Sequence, residues 1–108
     1  MYAMGSISLH LTSSRAKQLL KEAGEGKGRL AISVHASARM KQRKIGRTQV
    51  LETLKHGSFV EPLHQDVKGD WRCSVGWFHA GSRIVVAVVI KLDDKGDLVV
   101  VATVFRED

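Results

Sequence analysis

Ile84-Val85-Val86-Ala87-Val88-Val89-Ile90-Lys91-Leu92, the turn Asp93-Asp94-Lys95-Gly96, and Leu98-Val99-Val100-Val101-Ala102-Thr103-Val104-Phe105 together decide how this chain folds. The first run is almost unbroken in β-branched residues, the composition of a central strand buried on at least one face. The Asp- and Gly-rich turn joins it to its partner as a hairpin. Upstream, Trp71 to Phe78 alternates weakly, with Trp71, Cys73, Val75 and Trp77 on one face and Arg72, Ser74 and Gly76 on the other. Val67-Lys68-Gly69-Asp70 and His79-Ala80-Gly81-Ser82 read as turns. Phe59-Val60-Glu61 leads into Pro62, which marks a sheet edge or a strand end. Consecutive strands with short turns predict an antiparallel meander of about four strands.

Before Ser58 the pattern is helical. Ser13 and Ser14 are candidate N-caps, Ala16, Leu19, Leu20 and Ala23 follow at helical spacing, and Gly24 is a stop. The stretch Gly24 to Gly28 then reads as a flexible connector. Residues 1–28 are therefore expected to be an appended helix and linker, and residues 29–108 the domain proper. A second helix is predicted from Ser33 to about Lys44, ending at Ile45-Gly46. Ile45 and Val50 are placed as a hydrophobic staple around that turn. The third helix turns Val50, Leu51 and Leu54 inward and stops at Gly57, and the short connection predicts a helical hairpin. The expected fold is α+β, with the helices on one face of a four-stranded antiparallel sheet.

With 108 residues, 44% hydrophobic and 26% charged, the chain has the composition of one ordinary globular domain. The apolar run at Ile84–Ile90 is far too short to cross a bilayer, so no membrane partner is expected. The N-terminus lacks a basic region followed by a long apolar stretch, so no secretory signal is read. A lone Cys73 fits a reducing compartment, and a cytoplasmic location is expected. Of the 17 lysines and arginines, seven (Lys27, Arg29, Arg39, Lys41, Arg43, Lys44, Arg47) fall between Gly26 and Leu51, where there is no Asp or Glu. Such a segment on a nearly neutral body either attracts polyanions, nucleic-acid phosphates above all, or is simply a solvated helix face.

On the second helix His35, Arg39, Gln42 and Arg43 fall within roughly 100° of one another, with Ala36 and Met40 beside them toward the core. His35 is the candidate general acid or base, because imidazole exchanges protons near neutral pH. Arg39 and Arg43 are candidates for holding phosphate or stabilising a phosphorane. Arg72 or Thr103 on the sheet would complete a set for metal-free cleavage of RNA at the 2′-hydroxyl. The alternative is structural: a histidine near a helix start, and an arginine tying helix to strand ends. Lys27, Arg29, Lys41, Lys44 and Arg47 form a broader electrostatic footprint. His10, His56, His64 and His79 have no metal-ligand spacing, and there is no nucleotide-binding loop or hydrolase elbow, so neither metal nor cofactor is expected. Trp71, Trp77 and Phe78 suit either core or base stacking, and Cys73 suits burial.

The string Ser33-Val34-His35-Ala36-Ser37-Ala38-Arg39-Met40-Lys41-Gln42-Arg43-Lys44-Ile45 resembles the HAxxRMxxRxI signature of a bacterial family known as a domain of unknown function. Leu54-Lys55-His56-Gly57 and Val99–Phe105 extend the resemblance over about residues 33 to 105, leaving the first helix outside. That family looks like a relative of the RelE/ParE-type toxins, within the barnase- and RelE-like ribonuclease folds. The resemblance implies a helical pair on a four-stranded antiparallel sheet. It also implies RNA or the ribosome as target, metal-independent endoribonuclease activity, and an acidic, antitoxin-like partner. The Arg, Lys and Tyr of RelE-type enzymes have no counterparts here residue by residue, and Tyr2 is the only tyrosine. The other expectation, from a different class, is a non-catalytic module that binds nucleic acid or an acidic protein. Oligomeric state stays open.

Overall fold

A computed structural model describes residues 10–107; Tyr2 lies outside them. The elements are α1 (Ser13–Gly24), β1 (Arg29–Ile32), α2 (Val34–Arg43), α3 (Arg47–His56), β2 (Ser58–Gln65), β3 (Trp71–His79), β4 (Ser82–Lys91) and β5 (Leu98–Glu107). The sheet order is β1-β5-β4-β3-β2.

The central hairpin forms where the β-branched runs place it. Ile84, Val86, Val88 and Ile90 of β4 point to one face, with Cys73 and Val75 of β3 and Val99, Val101 and Val104 of β5. The helices lay Leu19, Leu20, Ala36, Val50 and Leu54 on that face, and all these residues form one core. Burying each large aliphatic side chain is worth about 1.5–3 kcal/mol, so this face dominates the stability. The β4–β5 turn is held by Asp93, whose carboxylate accepts from the Lys95 N–H at 3.0 Å and whose carbonyl accepts from the Gly96 N–H at 3.1 Å. The β3–β4 hairpin closes through Ala80 (φ 51°) and Gly81 (φ 86°), two successive left-handed residues of the kind that match strand twist.

Four expectations are corrected. The sheet has five strands, not four, and is mixed. β1 runs parallel to β5 from Arg29 opposite Leu98 to Ile32 opposite Val101. A four-residue strand whose partner is the last in the chain carries no local signal of its own. Second, α1 is not appended to a separate unit. Ala16, Leu20 and Ala23 are fully buried in the common core, and α1 packs closely on α3, where a Cβ on Gly24 would lie 2.6 Å from the Leu51 carbonyl. Lys17 also donates to the Gly57 carbonyl beyond α3. The stretch after α1 is a closed turn, with Gly26 at φ 79° and the Lys27 N–H bonded to the Glu22 carbonyl at 2.9 Å. Third, α2 and α3 do not form a packed hairpin. α1 pairs with α3, while α2 packs on β5. The N-cap of α1 is Thr12, which accepts from the Arg15 N–H at 3.1 Å, rather than Ser13 or Ser14.

The second helix starts and stops as the sequence indicates. Ser33 caps it and Ile45 and Val50 are buried around the following turn. Its last turn closes with the Ile45 N–H on the Met40 carbonyl at 2.9 Å, which forces Lys44 to φ 56°. A side chain in that left-handed conformation costs about 1 kcal/mol or more. Lys44→Gly should therefore stabilise the fold by about 0.5–1 kcal/mol, read as a higher urea midpoint with an unchanged m-value.

Candidate nucleic-acid interface

The position of α2 is set by a break in β5. Val88 lies opposite Val101 and Ala87 opposite Thr103, which leaves Ala102 as an extra residue, a β-bulge. β1 pairs with β5 only as far as Val101. Ser33 then takes over. Its N–H donates to the Val101 carbonyl at 3.0 Å, and its hydroxyl donates to the Ala102 carbonyl at 3.1 Å while accepting from the Ala36 N–H at 3.0 Å. One side chain thus satisfies the bulge and caps the helix, and α2 runs beside the second half of β5. At the far end Arg106 donates to the Arg43 and Lys44 carbonyls at 3.2 and 3.3 Å, covering acceptors that a helix C-terminus leaves open.

Between these two ties lies a groove of ≈ 320 Å³ lined by Arg39, Arg43, Thr103, Val104 and Phe105. Arg39 and Arg43 project from one edge of α2, with the Arg39 guanidinium 3.5 Å from the Gln42 side-chain oxygen. Ala36, beside that edge, is fully buried. The structure brings Arg39, Arg43 and Thr103 together. His35 sits one turn before Arg39, exposed, without a hydrogen bond or ion pair among the described residues, and outside the groove lining. Arg72 does not join them. It lies on β3, two strands and roughly 10 Å across from β5, and its Nε holds the Asp66 carboxylate at 2.6 Å. That hydrogen bond, with the Asp70 and Lys68 N–H groups, depresses the Asp66 carboxyl to about 2.

The basic stretch also divides. Lys27 lies 3.9 Å from Glu25, and Arg29 is bound to Asp93 at 3.3 Å and to the Gly96 carbonyl at 2.6 Å. Arg29 is thus tied to the β4–β5 turn, and Lys27 to the turn after α1. Lys41 and Arg47 line a second groove, on another stripe of α2, with Ile32, Ser37, Met40 and Ile45, and Lys44 is exposed beside it. Among the described residues, none of Arg39, Lys41, Arg43, Lys44, Arg47 or Arg106 makes an ion pair with a carboxylate. Six cations therefore gather around one helix without local neutralisation. Arg106 and Phe105 were not marked by sequence, because only the bulge and its register bring them to α2.

Burial, with the Glu61 charge adding to it, pushes the Cys73 thiol up to about 11, which leaves it unreactive. No group of three or more His, Cys, Asp or Glu among the described residues is placed to hold a metal. None of their helices is long and apolar enough to cross a membrane.

The family model described as Domain of unknown function (DUF4258) matches residues 32–106, from the end of β1 through Arg106. No curated protein and no solved structure matches the chain.

Ser33→Ala should cost about 1–2 kcal/mol, since it removes a cap and leaves a bulge carbonyl without its donor; chemical denaturation reads the loss. Because the folded Asp66 carboxyl lies below its ordinary 3.8, its pairing with Arg72 stabilises the fold above that pH and the contribution fades as pH falls through about 2. Arg72→Ala should therefore be less stable than the parent protein near pH 6, with the difference closing toward pH 2.

Proposed function

From a chain that belongs to the DUF4258 family and carries this groove, we propose a toxin-like RNA-binding domain of RelE/ParE type that holds single-stranded RNA along α2 and the second half of β5. The observation that carries this reading is the pair Arg39 and Arg43 lining a groove open to solvent, within a set of six cations around α2 that make no ion pair among the described residues. Phosphate contacts supply most of the affinity in such surfaces, and Arg39 and Arg43 offer planar, multidentate donors for them. Phe105 lines the same groove and gives a base an aromatic face. The residues that carry the resemblance, Ser33 to Ile45, lie on and around α2, the helix from which Arg39 and Arg43 reach the groove. A cytoplasmic setting, with RNA or the ribosome as the target, follows from the same reading.

Metal-independent cleavage is the second reading, favoured by His35 standing one turn from Arg39 with its imidazole unengaged. It has a gap. The groove lining contains no titratable side chain except the two arginines, so a second acid or base would have to come from the RNA or the ribosome.

Binding is tested with a labelled 12-nucleotide oligouridylate followed by fluorescence anisotropy across salt concentrations. With about five phosphates engaged, log K should fall against log salt with a slope near −3.5. The double variant Arg39→Ala/Arg43→Ala should weaken binding and reduce that slope by about 1.4, two phosphates' worth. Lys27→Ala and Arg72→Ala should stay within about twofold of the parent. An unchanged slope in the double variant rejects the groove as the RNA site. RNA left intact with and without ribosomes removes the enzyme reading and leaves binding in place, whereas cleavage lost in a folded His35→Ala supports it.

A further inference from the structure

The two edges of the sheet are built differently. β2, at one edge, carries Pro62 and two register shifts, and exposes Glu61 and His64. Prolines, bulges and charges are the usual means of keeping an edge from pairing with another chain. β1, at the other edge, has no proline and no register shift, and its one charged residue, Arg29, is held by Asp93 of the β4–β5 turn. It runs four residues in unbroken register with β5, and β5 is its one strand neighbour among the described residues. The Ser33 N–H points to β5, and parallel pairing alternates direction residue by residue, so the N–H and C=O groups of Leu30 and Ile32 point outward from the sheet.

Apolar surface lies directly against this open edge. Ile32, Met40 and Ile45, with Ser37, line a groove of ≈ 350 Å³ whose rim is Lys41 and Arg47. Val34, which follows β1 in the chain, is 89% exposed. This groove lies on a different stripe of α2 from Arg39 and Arg43. Among the described residues, the combination is an unpaired strand edge, an apolar socket beside it and two cations without carboxylate partners at its rim.

We infer that the β1 edge and the Ile32–Met40–Ile45 groove form a docking site for an extended acidic segment of a partner protein. The segment adds as a sixth strand beside β1, bonded to the outward amides and carbonyls of Leu30 and Ile32. One of its large apolar side chains enters the groove against Met40, and its carboxylates meet Lys41 and Arg47. Charge selects this occupant over a second copy of the chain, which would bring the same cations face to face. The site is separate from the RNA groove, so either assignment can fail without the other.

The test uses the full chain and a panel of labelled seven-residue peptides in which Glu alternates with Val, Leu, Ile or Phe, each with a Lys-for-Glu counterpart. Anisotropy should show binding of acidic members and little or none of their counterparts. Hydrogen exchange at the Leu30 and Ile32 amides should slow in the complex. Ser37→Trp, an exposed position that fills the groove, should weaken the peptide at least about tenfold while leaving oligouridylate affinity unchanged. Lys41→Glu/Arg47→Glu should reverse the preference toward the lysine peptides, an outcome that a merely damaged fold does not produce. The inference is overturned if no acidic member binds, if lysine peptides bind the parent chain equally well, or if Ser37→Trp binds as the parent does. It is also overturned if Arg39→Ala/Arg43→Ala weakens the peptide as much as it weakens RNA, since both ligands would then share one surface.

Discussion

The Ser33 hydroxyl is the point on which the geometry turns. It accepts from the Ala36 N–H and donates to the Ala102 carbonyl, so the same atom begins α2 and satisfies the irregular residue of β5. A regular β5 would present no free carbonyl there. A cap without a side-chain donor would leave the Ala102 carbonyl open and tie the helix start to β5 through the residue-33 backbone N–H alone. Arg106 fixes the other end by covering the last carbonyls of α2. Held at both ends, the helix keeps Arg39 and Arg43 at a constant distance from Thr103 and Phe105 at little entropic cost on binding, because the backbone is already ordered.

The charge pattern follows from where the chain places its carboxylates. The hairpin turn at Asp93 to Asp97 recruits Arg29, and Glu25 lies beside Lys27. The α2 cations have no such neighbours among the described residues. Their mutual repulsion raises the free energy of the isolated protein, and a polyanion or an acidic chain relieves it. Two neighbouring stripes of one helix thus present cations with different companions: an aromatic ring and a threonine on one side, apolar side chains and an open strand edge on the other.

Much of this was legible in the residues. The β4–β5 hairpin, the start of α2 at Ser33, the Ile45–Val50 turn and the Gly57 stop all rest on patterns within a few positions of one another. They formed where expected. What was not legible depends on distant pairing. Ser33 and Ala102 are 69 positions apart, and Arg106 and Arg43 are 63 apart. β1 is too short to show an alternating pattern and pairs with the last strand. The helix pairing failed for a related reason. A short connection favours neighbours only when both apolar stripes face each other, and here α3 turns its stripe to α1 and the sheet while α2 turns Ala36 to β5. Of the candidate site residues, Arg39, Arg43 and Thr103 converge, whereas Arg72 has its own partner in Asp66.

The parallel pairing of β1 with β5 also sets an order of events during synthesis. α1, α2 and α3 are complete long before Leu98 to Glu107 have been made. Until that last strand arrives, Ser33 lacks its carbonyl partner, β1 has no neighbour, and Arg39 faces no opposite wall. A growing chain can form local helices early, but contacts of this sequence separation wait for the segment that completes them. The groove therefore comes into being as one of the final acts of folding, and a chain interrupted before β5 carries the cations of α2 without the surface that organises them.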